Sequence, residues 1–322
     1  MQLPPALRQA IDRELEGIAL ADLARAAATL SRRYRAETRD GRLHVDDALS
    51  ARAYLTTRLP ATFAAVAAAG RAVADALPGF APASVLDIGA GPGTATWAAA
   101  ALWPGLAIAD LVEASAAMRE IGARVGGALA LDRVAWHAGS APDGLTGTGP
   151  ADLVLMAYVL DELDPAARPP LIERLWALTG DVLLLVEPGT TEGWKRILVA
   201  RDQLIRLDAH VLAPCPHQAR CPLTPPDWCH FSARVARSRL HREAKAGSVP
   251  WEDEKFIYLA ASRSAGAQAA ARILAPPQQS KAAIGLKLCL PDGSQADRRV
   301  ARRDGAAFKA ARKPGWGDRL ST

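Results

Sequence analysis

The sequence is poor in cysteine, methionine and tyrosine, with four, three and four residues in 322, and aromatic side chains make up only 5% of it. So few cysteines exclude the disulfide-dense scaffold of small secreted domains. No apolar run reaches the roughly 18 residues that cross a bilayer. The alanine-rich stretch from Ala61 to Ala76 is broken by Gly70, Arg71 and Asp75, so no membrane partner is expected. The first twenty residues carry Asp12, Glu14 and Glu16 and no apolar core. They therefore match neither a secretory signal nor an acid-poor mitochondrial presequence, and the expected location is cytoplasmic. Half of the residues are apolar, enough to bury one large core or two modest ones.

What cysteine there is falls in one late constellation. Cys215, Cys221 and Cys229 follow the pattern Cys-x5-Cys-x7-Cys, and Cys289 comes sixty residues later. Cys215 and Cys221 each precede a proline, in loop-like rather than periodic sequence. Four thiols with none to spare suit a tetrathiolate centre, because zinc and cubane iron–sulfur clusters both take four sulfur ligands. Unrelated buried thiols and a redox pair are the alternatives, but a reducing compartment disfavours structural disulfides. Zinc ribbons more often use Cys-x2-Cys knuckles, which this chain lacks, yet spacing alone leaves zinc and iron–sulfur open. His217 and His230 lie beside the cysteines as substitute or outer ligands.

Charge is unevenly placed. The chain nets +5. Between His230 and Lys245, Arg234, Arg237, Arg239, Arg242 and Lys245 stand against Glu243 alone. From Lys287 onward nine Lys and Arg face four Asp, so the rest of the chain is net acidic. Basic residues gathered around the cysteines suit a polyanion such as RNA, whose counterions they would release. An ordinary solvated face is the plainer reading of the same charges.

Periodicity divides the chain into parts. Residues 1–80 read as an N-terminal helical region, with apolar positions from Leu7 to Leu23 near a helical period and a second helical stretch from about Val45 interrupted at Pro60. From Ser84, the apolar runs Ser84–Ile88, Ala107–Val112, Val134–His137, Ala151–Ala157 and Val182–Glu187 alternate with helix-compatible segments. That alternation predicts an α/β fold with a doubly wound, mainly parallel sheet. Phe256–Ala261 and Ile284–Leu290 bring the expected strands to seven. The predicted core is then 81–189 plus 254–290, with a cysteine-rich, metal-binding insertion at 190–253 and a basic C-terminal tail at 291–322.

The sharpest motif is Asp87-Ile88-Gly89-Ala90-Gly91-Pro92-Gly93-Thr94, a strand running into a glycine loop and then a helix. Glycines admit a nucleotide close to the backbone, and the helix start offers free N–H groups. Glu113 closes the next strand 24 residues after Gly89, where a carboxylate can accept both ribose hydroxyl protons. The motif resembles the first motif of class I S-adenosylmethionine (SAM)-dependent methyltransferases; NAD folds usually carry Gly-x-Gly-x-x-Gly instead. Ser140 stands where such enzymes often place an acid facing adenine, and Tyr158 opens the acceptor-side segment through Glu162. The expected cofactor-binding residues are Asp87, Gly89, Ala90, Gly91, Gly93, Glu113, Ser140 and Tyr158. Neither an Asn/Asp-Pro-Pro-aromatic motif for N-methylation nor a cysteine for pyrimidine C5 attack occurs there, so no catalytic residue is identified. Methyl transfer from a sulfonium depends chiefly on in-line positioning and does not require a base.

Further segments align in order: Glu187-Pro188-Gly189-Thr190, the cysteine loop, Trp251 to Leu259, Cys289-Leu290-Pro291-Asp292-Gly293-Ser294, Arg302-Arg303-Asp304-Gly305 and Ala311 to Asp318. Together they resemble the Rsm-twenty-two family, methyltransferase-like proteins of the mitochondrial small ribosomal subunit and their bacterial relatives, over essentially the whole chain. The resemblance implies a class I methyltransferase core and a [4Fe–4S] cluster on Cys215, Cys221, Cys229 and Cys289, with zinc as the alternative. It also implies association with the small ribosomal subunit and its rRNA during assembly or translation; separately, the chain is expected to be a monomer. An rRNA methyltransferase and a non-catalytic assembly factor both fit this pattern. A small-molecule methyltransferase explains neither the basic tail nor the cysteines.

Overall fold

A computed structural model describes residues 3–38, 40–245, 247–267 and 271–320. Met1, Gln2, Ser321 and Thr322, at the ends of the expected helical region and tail, lie outside the described residues. The helical region forms α1 (Pro5–Leu15), α2 (Leu20–Arg35), α3 (Ala48–Thr57) and α4 (Leu59–Ala76). In α2 the buried residues Leu23, Ala27 and Leu30 recur at three- and four-residue steps, one apolar stripe facing the core. Asp47 starts α3 by accepting the Ser50 N–H, while the Ser50 hydroxyl accepts from the Asp47 N–H in return. Pro60 sits in the first turn of α4, where a missing N–H removes no helical bond. It therefore divides two helices rather than ending the region.

The main body follows as β1 (Ser84–Ile88), α5 (Thr94–Leu102), β2 (Ile108–Glu113), α6 (Ala116–Gly126), β3 (Arg133–Ala138), β4 (Ala151–Ala157), α7 (Arg168–Leu178), β5 (Thr179–Pro188), α8 (Thr191–Arg206), β6 (His210–Ala213), β7 (Phe231–Ala236), α9 (Arg239–Ala244) and β8 (Trp251–Ser262). The sheet runs β3-β2-β1-β4-β5-β8-β6, with β7 added alongside β8. The pairs from β3 through β5 are parallel. By contrast, β8 is antiparallel to both β5 and β6. β1, β4 and β5 are nearly continuous apolar runs because helices cover both faces. The chain order reverses direction at β1, so the C-terminal ends of β1, β2 and β4 open a crevice where such sheets bind ligands.

The structure departs from expectation at the seventh strand. That place is taken by the four-residue β6, which pairs with Ala260–Ser262 inside the expected insertion. Ile284–Leu290 instead contributes to a second sheet built from β9 (Ala271–Ile273), β10 (Gln278–Gln279), β11 (Ala283–Cys289), β12 (Gln295–Ala301) and β13 (Arg319–Leu320). Its order is β10-β11-β9-β13, with β12 on β11. The segment expected as a basic tail is folded: β12, α10 (Ala306–Ala311) and β13 close this sheet over Ile273, Ile284, Leu286, Leu288, Val300 and Phe308. Sparse apolar residues spaced between arginines concealed that second core. Truncating Leu153 to Ala, in the centre of β4, should cost the whole chain about 2–5 kcal/mol in denaturant unfolding. Leu288→Ala should instead open the C-terminal sheet to proteolysis while β1–β5 stay protected. Simultaneous exposure of both regions would contradict two separable cores.

Candidate cofactor cleft and cysteine cavity

The crevice at the ends of β1, β2 and β4 is a cleft of about 640 Å³ lined by Gly89, Gly91, Glu113, Ser140 and Tyr158. Its roof comes from the helical region, through Tyr34, His44, Tyr54 and Arg58. Gly91 has φ +56, and a Cβ built there would project into the cleft, meeting nothing closer than the Tyr54 hydroxyl at 3.8 Å. This is the open backbone face that a nucleotide requires. Gly89 is glycine for another reason: a Cβ would stand 2.4 Å from Val159 Cγ2.

Glu113 is held in position by the loop it faces. One carboxylate oxygen accepts the Gly91 N–H at 2.8 Å and the other the Ser115 N–H at 2.7 Å. Burial pushes its carboxyl up, and those two hydrogen bonds oppose the shift. Tyr158 adopts φ +60 and donates its hydroxyl to Glu254 on β8 at 2.9 Å. Ser140 donates to Asp143 at 2.6 Å rather than waiting free. Three expected residues do not line the cleft. Ala90 and Gly93 shape the turn, and Asp87 lies beneath it, accepting the backbone N–H and hydroxyl of Thr96 at 3.1 and 2.8 Å. Asp87 thus fastens β1 to the start of α5.

Carboxylates dominate the cleft. Asp161, Glu162 and Glu254 join Glu113, and enclosure together with Asp161 pushes Glu162 up to about 8. Just behind them Glu187 is buried; it accepts the Leu160 N–H at 3.1 Å and the Arg196 Nε–H at 2.8 Å. Arg196 also reaches Glu37 at 3.2 Å, tying the α2–α3 connection to the end of β5 and fixing the roof. Composition gave no signal for these roof residues, which belong to a separate helical region ahead of the strands they cover. The spacing of Tyr54 and Arg58, one helical turn apart, was the only local hint.

The cysteines meet elsewhere. All four are free and line one small cavity of about 30 Å³. Cys215 follows β6, Cys229 precedes β7, and Cys289 ends β11, so the cavity joins the edge of the central sheet to the second sheet. Among the described residues no three His, Cys, Asp or Glu side chains form a ready-made metal-coordinating group. The expected metal-binding extension is therefore seen as a shared cavity and not as a formed centre. Burial pushes the Cys289 thiol up to about 12 and the Cys229 thiol well above its usual range, with the neighbouring cysteines adding to both shifts. His217 Nδ1–H donates to Ala219 O at 3.1 Å, which leaves Nε2 to accept the Cys289 thiol proton at 3.3 Å.

Two arginines wall this cavity. Arg201 is 1% exposed and Arg272 is 2% exposed. Arg201 donates to the carbonyls of His217 and Ala219 at 2.9 and 2.8 Å and has one contact, at 3.3 Å, with the largely solvated Asp202. Arg272 donates to the carbonyls of Pro214 and Gly317, both at 2.8 Å. Arg201 Nε and Arg272 Nη2 have no hydrogen-bond partner among the described residues. Carbonyls orient a guanidinium without neutralising it, so this apolar cavity holds positive charge that favours an anionic occupant.

This strand order, with its roofed glycine-loop cleft, is that of a class I methyltransferase-like α/β protein. The family model described as "Mitochondrial small ribosomal subunit Rsm22" matches residues 48–321, and the chain belongs to that family. It is 31% identical to the ribosome assembly protein METTL17, mitochondrial, of Homo sapiens, over 83% of this chain and 61% of that protein. It is 25% identical to the Rsm22-cox11 tandem protein 2, mitochondrial, of Schizosaccharomyces pombe, over 46% of this chain and 26% of that protein. The chain thus spans less than two thirds of these relatives' own length. Among solved structures, magnesium protoporphyrin IX methyltransferase from Synechocystis PCC 6803 with bound SAM aligns with a TM-score of 0.42 and 16% identity, over 74% of this chain and 92% of that one. An O-methyltransferase family protein from Burkholderia thailandensis aligns at 0.46 and 15%, over 76% of this chain and 71% of that one. The mitochondrial setting of the family and of both relatives corrects the expectation of a cytoplasmic protein.

The buried Asp87 gives the cleft a pH signature. Burial pushes its carboxyl from an ordinary value near 3.8 to about 7. The folded chain therefore binds this proton more tightly than the unfolded chain does. Its contribution to stability is complete below about pH 4 and is lost as the pH rises through about 7. Asp87→Asn keeps an oxygen to accept from Thr96 and has no charge to bury. Chemical denaturation should show the variant gaining on the wild type between pH 4 and 7; a constant difference would contradict the assignment.

Proposed function

We propose that this chain is a SAM-binding, methyltransferase-like protein that docks as a monomer on small-subunit rRNA during ribosome assembly or translation. It carries a [4Fe–4S] cluster on Cys215, Cys221, Cys229 and Cys289. The convergence of Gly91, Glu113 and Tyr158 on one roofed cleft is the observation that carries the cofactor reading. The cleft's size lies within the usual range for small-molecule sites, roughly 300–1,000 Å³. Gly91 lets an adenosyl group approach the backbone, and Glu113 has lone pairs remaining to accept ribose hydroxyl protons. Glu113, Asp161, Glu162 and Glu254 offer carboxyl oxygens that can accept hydrogen bonds from the ammonium of SAM. When bound, SAM supplies an electrophilic methyl group. Tyr158, fixed by Glu254, and the Tyr34–Arg58 roof exclude water and define the space open to an acceptor. That enclosed acceptor side favours a second reading, in which SAM stabilises a docking platform and no methyl group is transferred.

The cysteine cavity fits a tetrathiolate metal in donor set and in charge. A [4Fe–4S]²⁺ core or a zinc ion with four thiolates is formally dianionic, and Arg201 and Arg272 supply two compensating cations. The charge match does not separate the two metals; the family resemblance and the proline-broken spacing favour iron–sulfur. Metal binding here would deprotonate thiols that otherwise hold their protons, and so would couple folding of the second sheet to metal loading.

Calorimetry should show SAM binding that is lost in Gly91→Arg and weakened at least tenfold in Glu113→Ala; unchanged affinity in both would refute the cleft assignment. Tritium transfer from labelled SAM to isolated small subunits separates the two readings, because the platform predicts tight binding with no label on any assembly intermediate. Anaerobically purified protein should be brown with about four irons per chain. Colourless protein with one zinc would overturn the cluster and leave the tetrathiolate standing.

A further inference from the structure

A second concave surface lies outside both sites. It is a groove of about 870 Å³ between α4, β7 and the last residues of the chain, Ala310 to Leu320. Arg71 projects from the α4 wall and Lys313 from the opposite wall, and both are exposed. Neither side chain makes a hydrogen bond or ion pair among the described residues. Trp316 and Phe231 supply aromatic surface between them. The Trp316 ring stands edge-on to His230, which stacks on Trp228 at 4.9 Å, so the indole is braced by two further rings. Its Nε1–H is buried and has no acceptor among the described residues. Of the groove's other charges, Arg234 pairs with Asp253, Asp318 accepts the Gly315 N–H and Arg319 donates to the Asp75 carbonyl, while the exposed Asp75 carboxylate shares the α4 wall with Arg71. The buried Arg272 lines both this groove and the cysteine cavity.

We infer that this groove binds a single-stranded RNA segment, with an unstacked base against Trp316 and its phosphates between Arg71 and Lys313. The inference rests on the rRNA-docking reading and gives it a location. Cations flanking a braced aromatic ring form the combination that single-stranded nucleic acid recognition uses. A duplex would keep its bases stacked away from a ring set inside a groove, so the unpaired form is the ligand. The arrangement assigns the C-terminal segment a definite role as one wall of a binding site. Its position beside Cys229 also explains why basic residues and cysteines share this part of the chain.

The test uses the full metal-loaded protein and fluorescence anisotropy with a labelled single-stranded oligoribonucleotide and the same sequence as a duplex. Wild type should prefer the single strand. Arg71→Glu combined with Lys313→Glu should weaken binding at least about tenfold and flatten the log–log salt dependence by roughly 1.4, two phosphate contacts at about 0.7 each. Trp316→Phe should keep most of the stacking and bind less tightly than wild type, with metal content and SAM affinity unchanged. Arg25→Glu with Arg32→Glu, exposed charges on α2, serves as the control. An equal loss in that control, or no loss in the groove variant while wild type binds, overturns the groove and leaves rRNA docking intact. A wild-type protein that binds no single-stranded RNA overturns both.

Discussion

Two guanidinium groups buried beside four thiols set the constraint on which the C-terminal half depends. Arg201 comes from α8 of the central body and Arg272 from β9 of the second sheet; carbonyls of the 214–219 loop beside Cys215 hold both, and Arg272 also donates to Gly317. Burying an uncompensated cation is costly, so the arrangement is stable when an anion shares the cavity. The proposed tetrathiolate metal would be such an anion, and the four cysteines come from both sides of the same junction. Charge balance, packing of the second sheet and the placement of the terminal segment then become one problem with one solution.

The N-terminal half solves a different problem with the same economy. A doubly wound sheet presents backbone N–H groups and a carboxylate at the ends of β1 and β2, and that edge needs a cover to exclude water. The helical region supplies it. Glu37–Arg196–Glu187 fixes the cover through a chain in which Arg196 pairs with the buried Glu187 carboxylate. The cover carries His44 and Tyr54 over the loop, while Asp87 holds the loop from below. Cofactor cleft and cysteine cavity stay separate: one lies at the C-terminal ends of the parallel strands, the other against the far edge formed by β6 and β8.

Much of this was legible in the sequence because the signals were local. The first five strands, the glycine loop and the position of Glu113 are set by apolar runs and turn residues, and the structure places them as expected. The relation of the four cysteines was readable from their number, and they do converge. The misreadings have physical causes. β6 is four residues long with an exposed histidine, so periodicity had too little to count. β11 alternates as a strand should, but alternation does not say which sheet it joins. The strands of the basic tail were not legible because its core residues, Val300, Phe308 and Leu320, are spaced between arginines and are buried only when β11 pairs with β12. Arg201 and Arg272 carried no sequence signal at all, since burial of a charge is decided by partners distant in the chain.

Hydrogen–deuterium exchange on the metal-loaded chain and the same chain after chelation tests the central claim most directly. Metal removal should raise exchange in the 214–230 loop and across β9, β11 and β13, while β1, β2 and the glycine loop keep their protection and SAM affinity is unchanged. Exchange that rises equally in the cleft and the second sheet, or in neither, would contradict an account in which the thiol–guanidinium cavity organises the C-terminal half alone.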